Sequence, residues 1–474
     1  MMLFQTPEFM FCLIILLAIY YFLPRGRMIL LAVADLAFYA LAGLGPAALF
    51  VGITMANYYL AQGLTGPRKR LLLWAGIILN VGNLVFFKYT LFLVGIMEKV
   101  LQVPLLPQLP FAAKLILPVG ISFYTFQFIS YLVDVYQKKI PPSQNLMVFW
   151  LFGSFFPHVI SGPIMRGGEL IPQLERIEKQ DIVMHFRLGL SYLALGLFKK
   201  VLIADNIAVY ANNFFAVSNS LGTIETWIAA YLYTFQLYFD FSAYSEMAMG
   251  IAYLFGIKLN LNFNTPYLSA NATEFWKRWH ITLSTWIRDY LYIPLGGSRK
   301  GELRKYLNLF LAMSISGLWH GAAFTFIVWG MYHGLLLISH NIYRKLKARL
   351  DRVRFFETAA YRAITIFVFF HLTCIGWVFF RASSLDQALH MIYRMLIPYQ
   401  LSFTAFNGKF ILLAMGLYLM HMLENWLRSH AGPLGDIWQR SVPASLRALA
   451  YTAFILALIL FSQGQTNNFI YFKF

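Results

Sequence analysis

The chain has 474 residues, of which 38 are Lys or Arg and 20 are Asp or Glu, so its formal charge is +18. Hydrophobic residues make up 59% of the chain and charged residues 12%, against about 25% charged residues in an ordinary soluble domain. So few charged side chains cannot cover a water-soluble surface of this size. The composition therefore excludes a cytosolic enzyme and indicates a protein surrounded by the lipid bilayer.

Long apolar stretches recur along the whole chain, and a helix that spans a bilayer needs about 20 mostly apolar residues. They predict an all-α polytopic membrane protein with about eleven to thirteen membrane-embedded helices, some of them re-entrant. We interpret 1–474 as one domain, with amino-terminal helices in 1–110, a core that holds the candidate site in 111–345, and carboxy-terminal helices in 346–474. The apolar stretches lie near residues 8–23, 28–43, 45–62, 71–95, 112–132, 146–163, 185–204, 224–256, 307–327, 329–343, 361–380, 409–425 and 447–463.

Short basic segments separate many of these stretches and indicate their orientation. The positive-inside rule places them on the cytoplasmic side and the amino terminus outside. The segments are Arg25 and Arg27, 68–70, Lys138 and Lys139, Lys199 and Lys200, 299–305, and 344–354. Orientation and attraction to anionic lipid headgroups explain most of the positive charge. A narrower hypothesis is that Arg299, Lys300, Arg304 and Lys305 contact a phosphorylated cytoplasmic ligand.

Nucleic acid is not an expected partner, because these basic residues lie in short loops rather than on one face of a soluble module.

Ionisable residues within apolar helices are costly and usually mark function. The segment QLYFDFSAYSEMAMG, residues 236–250, holds Asp240 and Glu246 in an otherwise membrane-like helix, together with Tyr238. Amides and turn formers follow, including Asn264. We therefore expect the helix to break there into a buried irregular segment that lines a polar cavity.

A second polar segment is FWKRWHITLSTWIRDYLYIPLGG, residues 275–297. Its density of Trp, Arg and Asp is typical of an amphipathic helix at the membrane interface. The candidate site residues here are Arg278, Trp279 and His280. For His280 alone, the structural alternative is an interfacial histidine bonded to a carbonyl oxygen.

A third segment, SISGLWHGAAFTFIVWGMYHG, covers residues 314–334. His320 lies between Trp319 and Gly321 in an apolar run, and the small residues around it would allow helices or a narrow substrate to approach the backbone. For this histidine the functional and structural interpretations both stay open.

Other common kinds of site are not indicated. The ten histidines form no HxxxH, HxxH or HExxH pattern, so we expect no metal site. Neither a phosphate-binding GxxxxGK[ST] loop nor a GxSxG nucleophile motif occurs. The two cysteines, Cys12 and Cys374, lie far apart in apolar stretches and indicate neither a disulfide framework nor a zinc site.

Six blocks of this sequence resemble, in wording, order and spacing, the membrane-bound O-acyltransferase family, and in particular its bacterial polysaccharide-acetylating branch. The blocks are 117–136, 155–166, 236–250, 262–267, 274–297 and 317–334. The resemblance implies that family's fold, with helices around a central funnel or tunnel. It also implies that His320, in the WHG motif, is the catalytic histidine and that His280, in the RWH motif, is the second active-site position, where relatives that acylate lipids or proteins can carry Asn.

By the same resemblance, the chain would transfer an acetyl group from cytoplasmic acetyl-CoA across the bacterial inner membrane. The coenzyme is then a substrate, and no bound cofactor is expected. An extracytoplasmic SGNH-type partner would pass the acetyl group to an exopolysaccharide such as alginate or cellulose.

In this reaction His320 would act as the base, and His280 would orient the acceptor or polarise the carbonyl. Arg299 and Lys300 would hold the coenzyme's phosphates. The further substrate-binding candidates are Trp319, Arg278, Trp279, Asp240, Tyr238 and Asn264.

Two alternatives stay open. One is transfer of D-alanine to teichoic acid from a carrier-protein thioester, which uses the same chemistry. The other is a polytopic transporter in which Asp240, Glu246, His280 and His320 form a path for protons or a sugar. The hydropathy of the two halves shows no inverted repeat, which disfavours the transporter.

Overall fold

A computed structural model describes residues 3–109, 111, 115–179, 183–349, 354–401, 403–462 and 469. Every regular element in these residues is helical, and no strand occurs among them. The predicted all-α architecture is therefore confirmed for this part of the chain.

Five helices among the described residues are long and apolar enough to cross a membrane. They are Leu44–Gly63, Lys69–Leu101, Ala359–Arg381, Phe406–Ser429 and Ala444–Phe461. The predicted eleven to thirteen embedded helices also included shorter segments, of which Pro7–Phe22 and Leu146–Val159 are apolar helices of 10–17 residues. The chain is a multi-pass membrane protein.

The residues group into two compact units, the first formed by Met1–Gly196 and Tyr244–Leu261 and the second by Leu197–Ala243 and Asn262–Phe474. Every candidate residue of the proposed acyltransferase site belongs to the second unit, whereas Glu246 belongs to the first. The predicted division of the chain at residues 110 and 345 stays a prediction.

The first unit is a helical assembly built around α6, which is buried along most of its length. Its helices are α1 (Pro7–Phe22), α2 (Arg27–Ala40), α3 (Leu44–Gly63), α4 (Lys69–Leu84), α5 (Thr90–Leu101), α6 (Ile121–Tyr136), α7 (Leu146–Ser154), α8 (Phe156–Val159), α9 (Gly167–Leu174) and α10 (Val183–Leu197). A buried carboxylate, Asp35, accepts hydrogen bonds from the Ser154 hydroxyl at 3.0 Å and the Phe156 backbone N–H at 2.9 Å. These bonds tie α2 to the junction of α7 and α8.

The second unit holds the remaining helices. They are α11 (Asp205–Ala216), the first part of α12 (Thr223–Leu254), α13 (Ala272–Trp276), α14 (Ile281–Ile287), α15 (Glu302–His320), α16 (Phe324–Ala348), α17 (Ala359–Arg381), α18 (Leu385–Leu396), α19 (Ala405–Ser429), α20 (Ala431–Arg440) and α21 (Ala444–Phe461). Two π-helical segments, Phe198–Ala204 and Arg288–Tyr292, also belong to it. After α12 the chain is irregular up to the short 3-10 turn at Pro266–Leu268, as the amides there predicted.

Helices α15 and α16 form a hairpin whose two backbones touch. A Cβ atom added at Gly317 would overlap the Phe326 carbonyl oxygen, and one added at Gly330 would overlap the Met313 carbonyl oxygen. Only glycine fits at such crossings. The expectation that small residues near His320 permit close backbone approach is confirmed.

The predicted single amphipathic helix over 275–297 is wrong. Two short helices, α13 and α14, occupy this segment, and a turn that ends at His280 separates them. His280 has φ 43° and ψ 54°, in the left-handed region, which an α-helix cannot contain. The polar periodicity of the sequence does not reveal such a local reversal.

Candidate active site

His320 is the last residue of α15, and aromatic rings surround it. Its imidazole centroid lies 4.9 Å from the Trp319 ring, 5.0 Å from the Trp329 ring and 5.3 Å from the Phe380 ring. The residue is 2% exposed. Almost none of His320 is therefore accessible to solvent.

His280 immediately precedes α14 and is fully buried. Its ring centroid lies 6.5 Å from that of His320 and 6.3 Å from that of Trp319. The Phe241 ring packs against it edge to face at 4.8 Å. The structure thus brings together the two histidines that lie 40 positions apart in the sequence.

Paired backbone segments hold His280 in place. Residues 262–264 run beside residues 278–281, since the Asn264 N–H donates to the Arg278 carbonyl and the Ile281 N–H donates to the Asn262 carbonyl, each at 2.9 Å. The irregular segment predicted after α12 is therefore part of the site.

Asn262 fixes the tautomer of His280. Its side-chain Oδ1 lies 3.2 Å from the Thr282 backbone N, 2.9 Å from the Thr282 hydroxyl and 3.1 Å from His280 Nδ1. Because a backbone N–H can only donate, this Asn262 atom is an acceptor, and Nδ1 of His280 must carry the proton that it donates. The neutral ring then has its lone pair on Nε2, which can accept a hydrogen bond but cannot donate one.

A cavity of about 190 Å³ lies between α14 with its π-helical extension and α15. Its lining consists of Trp276, Leu283, Ser284, Ile287, Arg288, Tyr292, Leu309, Ala312, Met313, Ser316 and Leu337. The α15 members recur at the spacing of one helical face, and His320 follows Ser316 by one more turn of that face. His280 immediately precedes α14, and neither histidine belongs to the lining.

The basic loop lies at the other end of α15. Gly296 and Gly297 both have positive φ, and the buried Asn308 amide donates to the Gly297 carbonyl at 3.0 Å, which fastens the loop to α15. Arg299 and Lys300 are exposed there. The 19 residues of α15 span about 28 Å, so these cations lie far from His320.

An ion pair between Glu302 and Lys345 joins the starting end of α15 to the final turns of α16. A hydrogen bond from the Lys345 ammonium holds the pKa of the Glu302 carboxyl below its ordinary value. The start of α15 and the end of α16, which lie at the end of the hairpin opposite His320, therefore both carry exposed charge.

Of the other candidates from this segment, Trp279 is a core residue. Its ring lies 4.7 Å from Trp377, 5.0 Å from Phe263 and 5.7 Å from Phe275. The Arg278 guanidinium pairs with Glu274 at 3.0 Å.

The Asn264 side chain is exposed, so its structural contribution at this position is the backbone bond to Arg278.

Asp240 belongs to a buried ionic group. The Lys200 ammonium lies 2.8 Å from both Asp240 and Asp205. The expectation that buried acids in α12 need partners is confirmed for Asp240, although the cation comes from the π-helical segment Phe198–Ala204.

A second ionic pair adjoins the first. Lys199 lies 2.7 Å from Glu424, which also accepts a hydrogen bond from the Tyr238 hydroxyl at 2.8 Å. Both lysines are 2% exposed. Lys199 and Lys200 therefore do not lie in a loop, contrary to the prediction, because they belong to a π-helical segment in which buried carboxylates neutralise them. Their cytoplasmic placement stays a prediction.

Sequence reasoning missed Asn262 and Glu424 as parts of this site and its support. The cluster of amides at 260–264 was a signal for the first. The partner of Lys199 lies 225 positions away, and no local pattern indicates it. Among the described residues, no group of three or more His, Cys, Asp or Glu side chains could hold a metal ion.

The sequence also matches a known protein family and known proteins. The sequence model of the family described as MBOAT, membrane-bound O-acyltransferase, matches residues 137–385. The chain is 38% identical to "Probable alginate O-acetylase AlgI" of Pseudomonas putida over 503 aligned positions, which cover 100% of both proteins.

Two further relatives carry other names. "Peptidoglycan O-acetyltransferase" of Helicobacter pylori is 39% identical over 82% of this chain and 79% of its own length. "Teichoic acid D-alanyltransferase" of Bacillus subtilis is 30% identical over 55% of this chain and 68% of its own length.

Proposed function

The chain belongs to the membrane-bound O-acyltransferase family and is an O-acyltransferase, and we propose that it transfers acetyl groups for O-acetylation of a bacterial exopolysaccharide. The donor is acetyl-CoA on the cytoplasmic side of the inner membrane. The acceptor is an extracytoplasmic SGNH-type protein, which passes the acetyl group to the polymer.

The relatives support both the acyl group and the acceptor class. Two proteins that align with 82% or more of this chain are named as O-acetylating enzymes, one for alginate and one for peptidoglycan. Both polymers lie outside the inner membrane and offer hydroxyl groups. Alginate is the first candidate because the relative named for it aligns over the whole chain.

The observation that carries the proposal is the arrangement of His280 and His320. The two imidazoles are buried and their centroids are 6.5 Å apart. Neither lines the cavity between α14 and α15, but α15 carries His320 and α14 begins directly after His280, so an acyl group that reached past Ser316 would approach both rings.

The donor side follows from the same cavity. Its walls are mostly apolar. From the rise of an α-helix, its lining residues Ser316 and Leu309 lie about 6 Å and about 16 Å before His320 along α15. A slender, uncharged pantetheine arm suits this space better than a phosphate does. Arg299 and Lys300 lie beyond its outer end and would contact the phosphates of the coenzyme.

In the reaction, the acceptor hydroxyl oxygen attacks the thioester carbonyl carbon while the His320 imidazole takes the hydroxyl proton. The carbon–sulfur bond then breaks, and the proton passes to the departing thiolate of the coenzyme. A histidine base contributes about 10²–10⁴ in rate. The tautomer set by Asn262 makes His280 Nε2 an acceptor, so the neutral ring does not polarise the carbonyl. Because His320 takes the single proton of the hydroxyl, His280 orients the acceptor by packing beside it.

D-alanyl transfer is a second candidate, since one relative is named for it. That relative aligns with 55% of the chain, whereas those named as O-acetylating enzymes align with 82% or more. A carrier-protein thioester would then replace acetyl-CoA as donor.

The test uses the purified full chain in proteoliposomes with labelled acetyl-CoA or with a D-alanyl carrier-protein thioester. An SGNH-type partner and alginate oligosaccharides serve as acceptor. We expect free coenzyme and labelled acetate ester only with acetyl-CoA, and loss of both in His320→Ala.

His430→Ala is the matched control, because His430 is an exposed histidine that bonds the Trp426 carbonyl at the end of α19. An intact thioester with wild-type protein and acceptor, or undiminished turnover in His320→Ala, would contradict the proposal.

A further inference from the structure

A larger cavity of about 590 Å³ lies between the second half of α16 and the first half of α17. Residues 270–272 close one side of it. Its lining consists of Ala270, Asn271, Ala272, Leu336, Ser339, His340, Tyr343, Arg344, Lys347, Tyr361, Ile364, Thr365, Val368, Phe369 and Leu372. Neither histidine of the candidate active site belongs to this lining.

One end of the cavity is basic and aromatic. The Arg344 side chain makes no hydrogen bond or ion pair with any residue that the structure describes. The Lys347 ammonium lies 4.7 Å from the Tyr361 ring and 5.1 Å from the Phe356 ring. The hydroxyl groups of Tyr343 and Tyr361 are 2.6 Å apart at the same rim. Two cations and two phenols thus surround one opening.

The other end is apolar and reaches the surface of a candidate membrane span. Leu336, Phe369 and Leu372 form its floor. Ile364 and Val368 also line it, yet they stay 53% and 50% exposed. Because α17 is long and apolar enough to cross a membrane, this exposed side of the cavity faces lipid chains.

The carboxylate on the adjoining wall is already neutralised. Glu274 pairs with Arg278 at 3.0 Å and with Arg362 at 3.4 Å. The positive charge at the rim is therefore not cancelled by this group.

We propose that this cavity is a binding site for an anionic glycerophospholipid. The phosphate contacts Arg344 and Lys347, and the hydroxyl groups of Tyr343 and Tyr361 bond the headgroup. One acyl chain lies against the apolar floor and leaves the cavity past Val368. Cations at the membrane interface attract anionic lipid, and aromatic residues prefer the headgroup level.

Such a lipid would support the active site indirectly. The rings of Trp329 on α16 and Phe380 on α17 both pack against His320. A lipid wedged between the two helices contacts both and so stabilises their pairing.

The test measures lipid binding to the purified full chain by native mass spectrometry. Phosphatidylglycerol and phosphatidylcholine with identical acyl chains are the probes. We expect wild-type protein to prefer phosphatidylglycerol, and Arg344→Gln with Lys347→Gln to lose that preference by about five-fold for each cation removed. Phosphatidylcholine binding should not change.

Arg349→Gln is the matched control, because Arg349 is an exposed cation that follows α16 and does not line the cavity. Its preference should equal that of wild type. A second variant, Thr365→Trp, keeps the charges and fills the cavity, and we expect weaker binding of both lipids. Melting temperatures in neutral detergent show whether each variant is folded.

Unchanged phosphatidylglycerol binding in the double variant or in folded Thr365→Trp would overturn the proposal. Displacement of the lipid by coenzyme A would also overturn it, since the cavity would then be a nucleotide site. Retention of the lipid in the presence of coenzyme A and of inorganic phosphate supports it.

Discussion

Asn262 Oδ1 accepts a hydrogen bond from His280 Nδ1 at 3.1 Å, and the Thr282 backbone N–H confirms that this Asn262 atom is the oxygen. The asparagine lies in the irregular segment after α12, whereas the histidine immediately precedes α14. One side chain therefore sets both the position and the protonation pattern of the His280 imidazole.

Removal of this acceptor should lower turnover. In Asn262→Leu the imidazole can rotate and exchange its tautomer, and we expect kcat to fall by about 10- to 100-fold, because small misplacements of reacting groups cost that much. The KM for acetyl-CoA should hold, since the donor cavity is not altered. Asn262→Asp keeps an oxygen acceptor and should recover most of kcat. Equal kcat in Asn262→Leu and wild type would show that the bond has no positioning role.

The two imidazoles should act as one group. His320→Ala removes the proposed base and should lower kcat by about 10²–10⁴. His280→Asn removes the ring that orients the hydroxyl and should also lower kcat. Because groups that act on one step are not additive, the double variant should be no slower than His320→Ala alone. Additive losses in this double-mutant cycle would mean that the two histidines contribute independently.

The cavity between α14 and α15 should limit donor binding. Ala312 is 3% exposed and lines it, so Ala312→Phe should raise the KM for acetyl-CoA at least about ten-fold. Ile315→Phe adds bulk three positions further on, at a side chain that is 43% exposed, and should leave KM unchanged. If the KM of Ala312→Phe for acetyl-CoA equals that of wild type within error, the donor does not bind in this cavity.

The buried ion group should contribute to stability more than to chemistry. Lys200→Met leaves Asp240 and Asp205 without their shared cation, and breaking a buried pair costs about 3–5 kcal/mol. Lys99→Met removes an exposed lysine and should change stability by less than about 0.5 kcal/mol. Reversible unfolding in mixed micelles measures the difference. Similar unfolding free energies for the two variants would mean that the Lys200 pairs are not formed.

The glycine crossing of α15 and α16 gives a further test. Gly330→Ala forces the two backbones apart at the Met313 carbonyl, so we expect a loss of about 1–3 kcal/mol and reduced turnover through displacement of Trp329. Gly416→Ala is the control, because a Cβ there meets open space in α19 and a helical Gly→Ala exchange is otherwise favourable. A Gly330→Ala protein as stable and active as Gly416→Ala would refute the close crossing.

Much of the helical framework could be predicted from the sequence, because apolar length and small-residue patterns are local. The long α12, the irregular segment after it and the close approach of α15 to α16 all follow from residues within one segment. The pairing of Lys199 with Glu424 could not be predicted, because it depends on two segments that lie 225 positions apart. A basic pair in isolation looks like a loop whether or not distant carboxylates cover it.

The same limit applies to the candidate site. The WHG and RWH segments indicated His320 and His280, and the structure brings their rings close together. Asn262 can support His280 because residues 262–264 pair with residues 278–281 through backbone hydrogen bonds. The periodicity of the sequence does not predict this pairing. The roles of Arg299, Lys300, Trp319 and the other candidates stay predictions.

The left-handed backbone at position 280 restricts which side chains evolution or an experimenter can place there. Asparagine, aspartate and histidine adopt a positive φ far more readily than other residues with a Cβ atom. An alanine at this position would combine a loss of chemistry with conformational strain in one measurement. Asparagine separates the two effects, and the local geometry alone makes it the natural alternative to histidine.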